Sequence, residues 1–129
     1  MTLRNLYLVH AIVAVIFALG LLLAPTAMLM LYVKGISTNP SAADKLLTQF
    51  FGVHLLGAGL ITLFARDASD AVSRRAITLS LFVAGVIGLI VSIGGTVAGT
   101  LNVIGWSAVV LYAFFALGFG YFQFVGPAE

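Results

Sequence analysis

The 129-residue chain contains no cysteine, and only 8% of its residues are charged, against about 25% in an ordinary soluble domain. Without cysteine, disulfides, thiolate metal sites and cysteine nucleophiles are excluded. The six Lys and Arg residues are spread over separate loops and form no basic stripe, which argues against nucleic acid as a partner. Instead, 62% of the residues are hydrophobic, more than a soluble core of this size can bury. The composition predicts an integral membrane protein whose first partner is the lipid bilayer.

Four apolar segments without Asp, Glu, Lys or Arg are long enough to cross a bilayer as helices, which takes about 20 residues. They run over residues 6–33, 46–65, 76–93 and 103–124. We therefore predict an all-α polytopic membrane protein, a single four-transmembrane-helix bundle covering residues 1–129. The first segment is overlong and carries Pro25, which predicts a kink or break near its end. A cleavable signal peptide is the alternative for this segment, but the apolar run continues past the small residues where cleavage would fall.

Charge in the connections predicts the orientation. An even number of spans places both termini on the same side as the loop 66–75. Four arginines lie on that side, Arg4, Arg66, Arg74 and Arg75, and two lysines lie opposite, Lys34 and Lys45. The positive-inside rule then predicts cytoplasmic termini and a plasma (inner) membrane location. Near the predicted span ends lie the aromatic residues Tyr7, Tyr32, Trp106 and Tyr121, as interfacial belt residues do.

Small residues predict where the helices pack, since close backbone approach holds helices together in lipid. In the third segment small residues recur at every fourth position: Ala76, Ser80, Ala84, Gly88, Ser92 and Thr96. We predict that they form one continuous ridge with a right-handed crossing against a neighbour. In the second segment Gly52 and Gly59 lie seven residues apart and are predicted packing positions as well. An alternative is that such a ridge forms the surface of a homo-oligomer.

Two histidines, His10 and His54, are the candidate ligand-binding residues. An ionisable side chain inside the hydrocarbon is energetically costly, so its presence there indicates a function. Each shares a helical row with small residues, so we expect both to face the bundle interior. Tyr112, near the centre of the fourth segment, is the third candidate. Each histidine is either a neutral imidazole bonded to a carbonyl or hydroxyl, or a polar anchor in a ligand cavity or proton path. Their predicted offset of about 10 Å along the membrane normal disfavours a shared haem, and we predict no cofactor and no metal site.

Three features of the chain carry a resemblance to known proteins. They are the second segment with Phe51-Gly52 and Leu56-Gly57-Ala58-Gly59-Leu60, the short arginine-rich loop, and the opening of the last segment, Leu101-Asn102-Val103-Ile104-Gly105-Trp106. Together they resemble small uncharacterised four-helix integral membrane proteins of bacteria. The resemblance covers most of the chain and implies the same topology. It implies no chemistry, because such proteins have no assigned catalytic residues.

These features lead to three hypotheses for function. The first is a non-catalytic membrane module, either an accessory subunit beside other membrane proteins or a binder of a lipid-like small molecule within the bundle. The second is a small oligomeric transporter or channel with His54 lining the path, although no predicted span holds the carboxylate that proton-coupled transport generally uses. The third, an intramembrane enzyme, would need a bound cofactor or His54 working with a tyrosine, because the chain offers no set of nucleophile, base and orienting group.

Overall fold

Residues 1–126 are described by a computed structural model, and this part of the chain contains five α-helices. They are α1 (Leu3–Leu23), α2 (Pro25–Tyr32), α3 (Ala42–Ala65), α4 (Ala71–Val97) and α5 (Gly105–Phe124). All but α2 are long and apolar enough to cross a membrane. The prediction of an all-α four-helix membrane bundle is confirmed.

Three of the long helices begin at side chains that satisfy free backbone N–H groups. Thr2 accepts from the N–H of Asn5 at the start of α1, and Asp70 accepts from Ser73 at the start of α4. In front of α3, Ser41 and Asp44 form a reciprocal capping box. These capping side chains fix the residue at which each of the three helices begins.

The first predicted segment, residues 6–33, consists of two helices. Helix α1 ends at Leu23, and α2 begins at Pro25. Proline has no N–H and would break the hydrogen bonding of a continuing helix, but it fits the first turn of a new one. The expected break therefore falls at Ala24, and the chain beyond it forms a separate eight-residue helix.

The bundle consists of two helix pairs, α1 with α3 and α4 with α5, and contacts within each pair far exceed those between the pairs. In the first pair, the buried alanines of α1 face the two predicted packing glycines of α3. A Cβ added at Gly59 would lie 3.1 Å from the Ala14 Cβ, and one added at Gly52 would lie 3.3 Å from the Ala18 carbonyl oxygen. The absence of side chains at these glycines lets the two backbones approach closely.

In the second pair the predicted continuous ridge is wrong. The buried residues of α4 are Thr78, Gly85 and Ser92, seven residues apart, whereas Ser80 and Ala84 are exposed. A row with a four-residue spacing turns about 40° around the helix at every step, so it leaves a contact face within two turns. A seven-residue spacing of buried positions is typical of left-handed helix packing. The right-handed crossing stays a prediction.

At one end of the bundle, here called the arginine end, polar contacts join α1 to the second half of the chain. Arg4 donates to the carboxylate of Asp67 in the α3–α4 connection over 2.8 Å. The hydroxyl of Tyr7 lies 2.7 Å from that of Thr78 and 3.0 Å from the Arg74 carbonyl oxygen. Tyr7 is fully buried, so the prediction that it belongs to the interfacial aromatic belt is wrong.

The opposite end, here called the bridge end, ties α2 to the turn between α4 and α5. Backbone N–H groups of Lys34 and Asn102 donate to the carbonyl oxygens of Thr100 and Tyr32, each over 2.9 Å. The Asn102 side chain also donates to the Leu31 carbonyl oxygen over 2.7 Å. The two helix pairs are therefore joined at both ends, and a space remains between these ends.

Candidate ligand-binding cavity

Between the joined ends lies a cavity of about 500 Å³, within the size range of small-molecule sites. Residues of α1, α2, α3 and α5, with Val33 and Leu101 of the bridge end, form its wall. Only four of these residues are polar: His10, Tyr32, Thr48 and Tyr112. The site is an almost entirely apolar space inside a membrane-spanning bundle.

The fold closes the cavity at both ends. Towards the arginine end, a buried core cluster fills the bundle, with Leu6, Tyr7 and Phe119 each at 0% exposure. Towards the bridge end, Met28 and Leu29 of α2 form part of the wall. On the side, Leu47 and Phe51 of α3 line the cavity while remaining 66% and 51% exposed. This combination places an opening beside α3, facing the surrounding lipid.

His10 stands at the inner end of the cavity, and its ring is fixed by contacts on both sides. Its Nδ1 lies 3.1 Å from the Thr62 hydroxyl of α3. The rings of Phe115 and Phe119 on α5 meet the imidazole edge to face, at centroid distances of 4.9 Å and 5.6 Å. His10 makes no other side-chain hydrogen bond within residues 1–126, and its Nε2 is not fully buried. The residue lines the cavity, so this unbonded nitrogen is its candidate contact with a ligand.

Tyr112 of α5 lines the same cavity, slightly less than one helical turn from Phe115 towards the bridge end. Its ring covers Gly88 of α4, where a Cβ would collide with it. Within the described residues its hydroxyl has no hydrogen-bond partner and is not fully buried. The structure thus brings His10 and Tyr112, two of the three candidate ligand-binding residues, to one cavity.

The other two polar residues of the wall are already paired. Thr48 donates to the Asp44 carbonyl oxygen over 2.8 Å, as an ordinary helix side chain does. The hydroxyl of Tyr32 lies 3.2 Å from that of Ser107. His10 and Tyr112 therefore supply the polar atoms of the wall that remain available to a ligand.

His54 does not line the cavity, and the expectation that it faces the bundle interior is wrong. It lies on the outer face of α3 and is exposed, with Nδ1 2.8 Å from the Phe50 carbonyl oxygen of its own helix. The row that it shares with Ala58 and the buried Thr62 turns about 80° between these positions, which carries His54 out of the interior. Residues four apart also turn gradually around helix α4, which explains the exposure of Ser80 and Ala84.

Two parts of the site were not predicted from the sequence. One is the hydroxyl of Thr62. Thr48, Leu55 and Thr62 follow one another at seven-residue intervals, and Thr48 and Leu55 line the cavity, so this spacing marks the inner face of α3. The other is Phe115, which belongs to a run of aromatic residues in which periodicity singles out no single ring. Both depend on how far α3 and α5 are rotated, which a single helix does not reveal.

No family model, no curated protein and no solved structure matches the chain. Membership of the small bacterial membrane proteins that the sequence resembles stays a prediction. Within residues 1–126, no three His, Asp or Glu side chains gather closely enough to hold a metal ion together. Function is therefore argued from the geometry of the cavity.

Proposed function

We propose that this protein is a non-catalytic membrane module that binds a lipid-like small molecule in the cavity between its helix pairs. The observation that carries the proposal is the cavity itself, about 500 Å³ of apolar space with two available polar side chains at its inner part. Apolar walls with a few convergent polar groups are typical of small-molecule sites. The opening beside Leu47 and Phe51 gives a lipid-soluble molecule a route from the bilayer.

The test fills the cavity. Ala108 lies on the wall, so Ala108→Phe should occupy the space a ligand needs, whereas Ala84→Phe adds the same ring on the exposed face of α4. We expect native mass spectrometry of protein in lipid nanodiscs to find a small molecule retained by the wild type and by Ala84→Phe, and lost from Ala108→Phe. If the wild type retains no molecule and binds no long-chain probe, the proposal is wrong.

For the orientation, we propose that the arginine end faces the cytoplasm of a bacterial cell, with the protein in the plasma (inner) membrane. The support is the excess of arginine at that end. Because the chain has no cysteine, single substitutions can be labelled without background. A maleimide that cannot cross membranes should label Ser37→Cys on intact cells stripped of their outer membrane, and Ser69→Cys only after lysis. The reverse pattern would contradict the proposal.

A second candidate function, a subunit of a membrane oligomer, is favoured by His54. This histidine lies near the middle of α3 and faces outward, where lipid offers its Nε2 no hydrogen-bond donor. One turn away, a Cβ at Gly57 would meet nothing within 4 Å. A neighbouring subunit would give both positions a partner, as the hypothesis of an oligomeric transporter with His54 at its path also requires.

Cysteine cross-linking tests this candidate. His54→Cys should form a cross-linked dimer in membranes under oxidising conditions, and Ile87→Cys, exposed on α4, should not. A monomer for both variants would rule out self-association through this face of α3.

A further inference from the structure

We propose that the cavity selects molecules whose polar end carries an uncharged hydroxyl group, which donates its hydrogen to Nε2 of His10. This inference rests on the binding function proposed above. It concerns what the bound molecule must offer at its inner end.

The hydrogen positions follow from the hydrogen bonds of Thr62. Its Oγ1 lies 2.9 Å from the Gly59 carbonyl oxygen and 3.2 Å from the Ala58 carbonyl oxygen. In both contacts the hydroxyl is the donor, so we assign the single hydroxyl hydrogen of Thr62 to its own helix. The oxygen of Thr62 is then an acceptor for His10, 3.1 Å away, and we place the imidazole hydrogen on Nδ1.

A neutral imidazole with its hydrogen on Nδ1 has only an acceptor at Nε2. His10 lines the cavity and its Nε2 makes no hydrogen bond, so a group of the bound molecule that meets this nitrogen must be a donor. A ketone, an aldehyde or an ether offers only acceptor oxygens there and would leave two lone pairs facing each other. A hydroxyl group meets the requirement.

The wall also excludes a charged head group. None of the residues that line the cavity is Asp, Glu, Lys or Arg, so a carboxylate, phosphate or ammonium would enter without a partner. Burying an unpaired charge in an apolar site costs several kcal/mol or more. The donor that reaches Nε2 is therefore part of a neutral molecule.

The rest of the molecule must be apolar and elongated. On α1 the wall extends from His10 to Leu21, which is about 16 Å along the helix. Two chemical sources fit: an aliphatic long-chain alcohol, or a phenol with an apolar tail. The ring of Phe115 beside His10, and that of Tyr112 elsewhere on the wall, offer aromatic faces on which a phenol could stack.

Matched pairs of probes test the inference and distinguish these sources. Dodecan-1-ol is paired with dodecyl methyl ether, and 4-dodecylphenol with 4-dodecylanisole, so that each pair differs by the donor hydrogen. His54→Phe removes the only other histidine of the chain, so ¹⁵N-histidine labelling of this variant in nanodiscs reports on His10 alone. We expect the hydroxyl probes to move the Nε2 resonance towards a hydrogen-bonded position and to bind about tenfold more tightly than their ethers. The probe pair with the larger difference in affinity between hydroxyl and ether shows whether the cavity prefers a long-chain alcohol or a phenol.

Two results separate this inference from the proposed function. If ethers and hydroxyl probes bind the wild type equally and leave Nε2 unchanged, the donor requirement is wrong while binding in the cavity stands. If no probe binds, both proposals fail.

Thr62→Val tests the hydrogen assignment without removing His10. Valine keeps the shape of the buried Thr62 but offers no oxygen to Nδ1, so the imidazole can place its hydrogen on either nitrogen. We expect the preference for alcohol over ether to fall, with both probes still binding. Ser80→Ala, which removes an exposed hydroxyl bonded only to its own helix, should keep the full preference. An unchanged preference in Thr62→Val would overturn the inference.

Discussion

Asp67 stands between two arginines at the arginine end, where the chain leaves the membrane. Its carboxylate accepts from Nε of Arg4 over 2.8 Å and from Nε of Arg66 over 3.0 Å. The hydrogen bond from Arg4 and then that from Arg66 lower the pKa of Asp67 below its ordinary value. Since Arg4 begins α1 and Asp67 follows α3, this exposed group ties both helices of the first pair together.

Asp67→Asn should lower the melting temperature slightly at pH 7, because exposed ion pairs contribute little. A carboxyl with a lowered folded-state pKa stabilises the fold above about pH 4, its ordinary pKa, and this contribution is lost as the pH falls through the lower folded value. The difference in melting temperature between variant and wild type should therefore narrow from pH 7 towards pH 3. A difference that stays constant over this range would contradict the role given to the carboxylate.

At the scale of single residues, the sequence identified the histidines but could not assign their directions. His10 and His54 both share rows with small residues, yet one lies inside and the other outside. The difference arises because Thr62 is the end of the row of His54 that reaches α1, where its hydroxyl lies 3.1 Å from Nδ1 of His10. Which end of an inclined row is buried depends on the position of the neighbouring helix, and one helix does not contain that information.

The packing of α4 against α5 can be tested by comparing a glycine that contacts the neighbouring helix with one that contacts nothing. At Gly85 of α4 a Cβ would lie 3.2 Å from backbone atoms of Ala116 in α5, and backbone cannot move aside as a side chain can. Gly85→Ala should therefore push the second pair apart and cost about 1–3 kcal/mol of unfolding free energy.

Gly94→Ala, on the same helix α4, is the matched control, because a Cβ there meets nothing within 4 Å. It should leave stability unchanged or raise it by up to about 1 kcal/mol, since alanine favours helix over glycine. Denaturant unfolding in micelles measures both variants. Equal losses for the two would mean that α4 and α5 do not meet at Gly85.

Helix existence was predictable from the sequence, because lipid leaves the backbone of an apolar segment no hydrogen-bond partner except itself. The break at Pro25 was predictable for the same local reason. The pairing of the helices was less predictable. The seven-residue spacing of Thr78, Gly85 and Ser92 is visible in the sequence. The four-residue row of small residues is longer, but only its later members, Gly88 and Ser92, lie at the contact, while Ser80 and Ala84 are exposed.

On the scale of the whole molecule, the two pairs each join consecutive membrane-spanning helices. The connection between them, residues 66–70, has exposed positions and no extensive packing of its own. Fragments 1–68 and 69–129 should therefore assemble when expressed together, because each holds a complete pair and the surfaces at both ends remain intact. An affinity tag on the first fragment should recover the second.

A cut between Ser37 and Thr38 is the control for this experiment. It separates α1 from α3, the most extensive interface of the first half, so we expect lower recovery from that cut. Failure of fragments 1–68 and 69–129 to assemble, or better recovery from the cut at Ser37, would contradict the division into two pairs.

The cavity could not be predicted from the sequence. Its wall combines residues of both pairs with the short helix α2, so it exists only in the assembled bundle. The sequence predicted that His10 and Tyr112 are candidates but not that they share a space. That space depends on the gap between the pairs, which no local pattern encodes.

The pairing of consecutive helices also bears on biogenesis. When the second helix of a pair leaves the ribosome and enters the membrane, its main partner is already inserted. We therefore expect the two hairpins to form in the order of translation. The binding space appears only afterwards, when the hairpins dock. We therefore expect newly made protein to pass through a stage in which all four crossings are complete and no ligand can be held, and a ligand present in the bilayer to favour the last step.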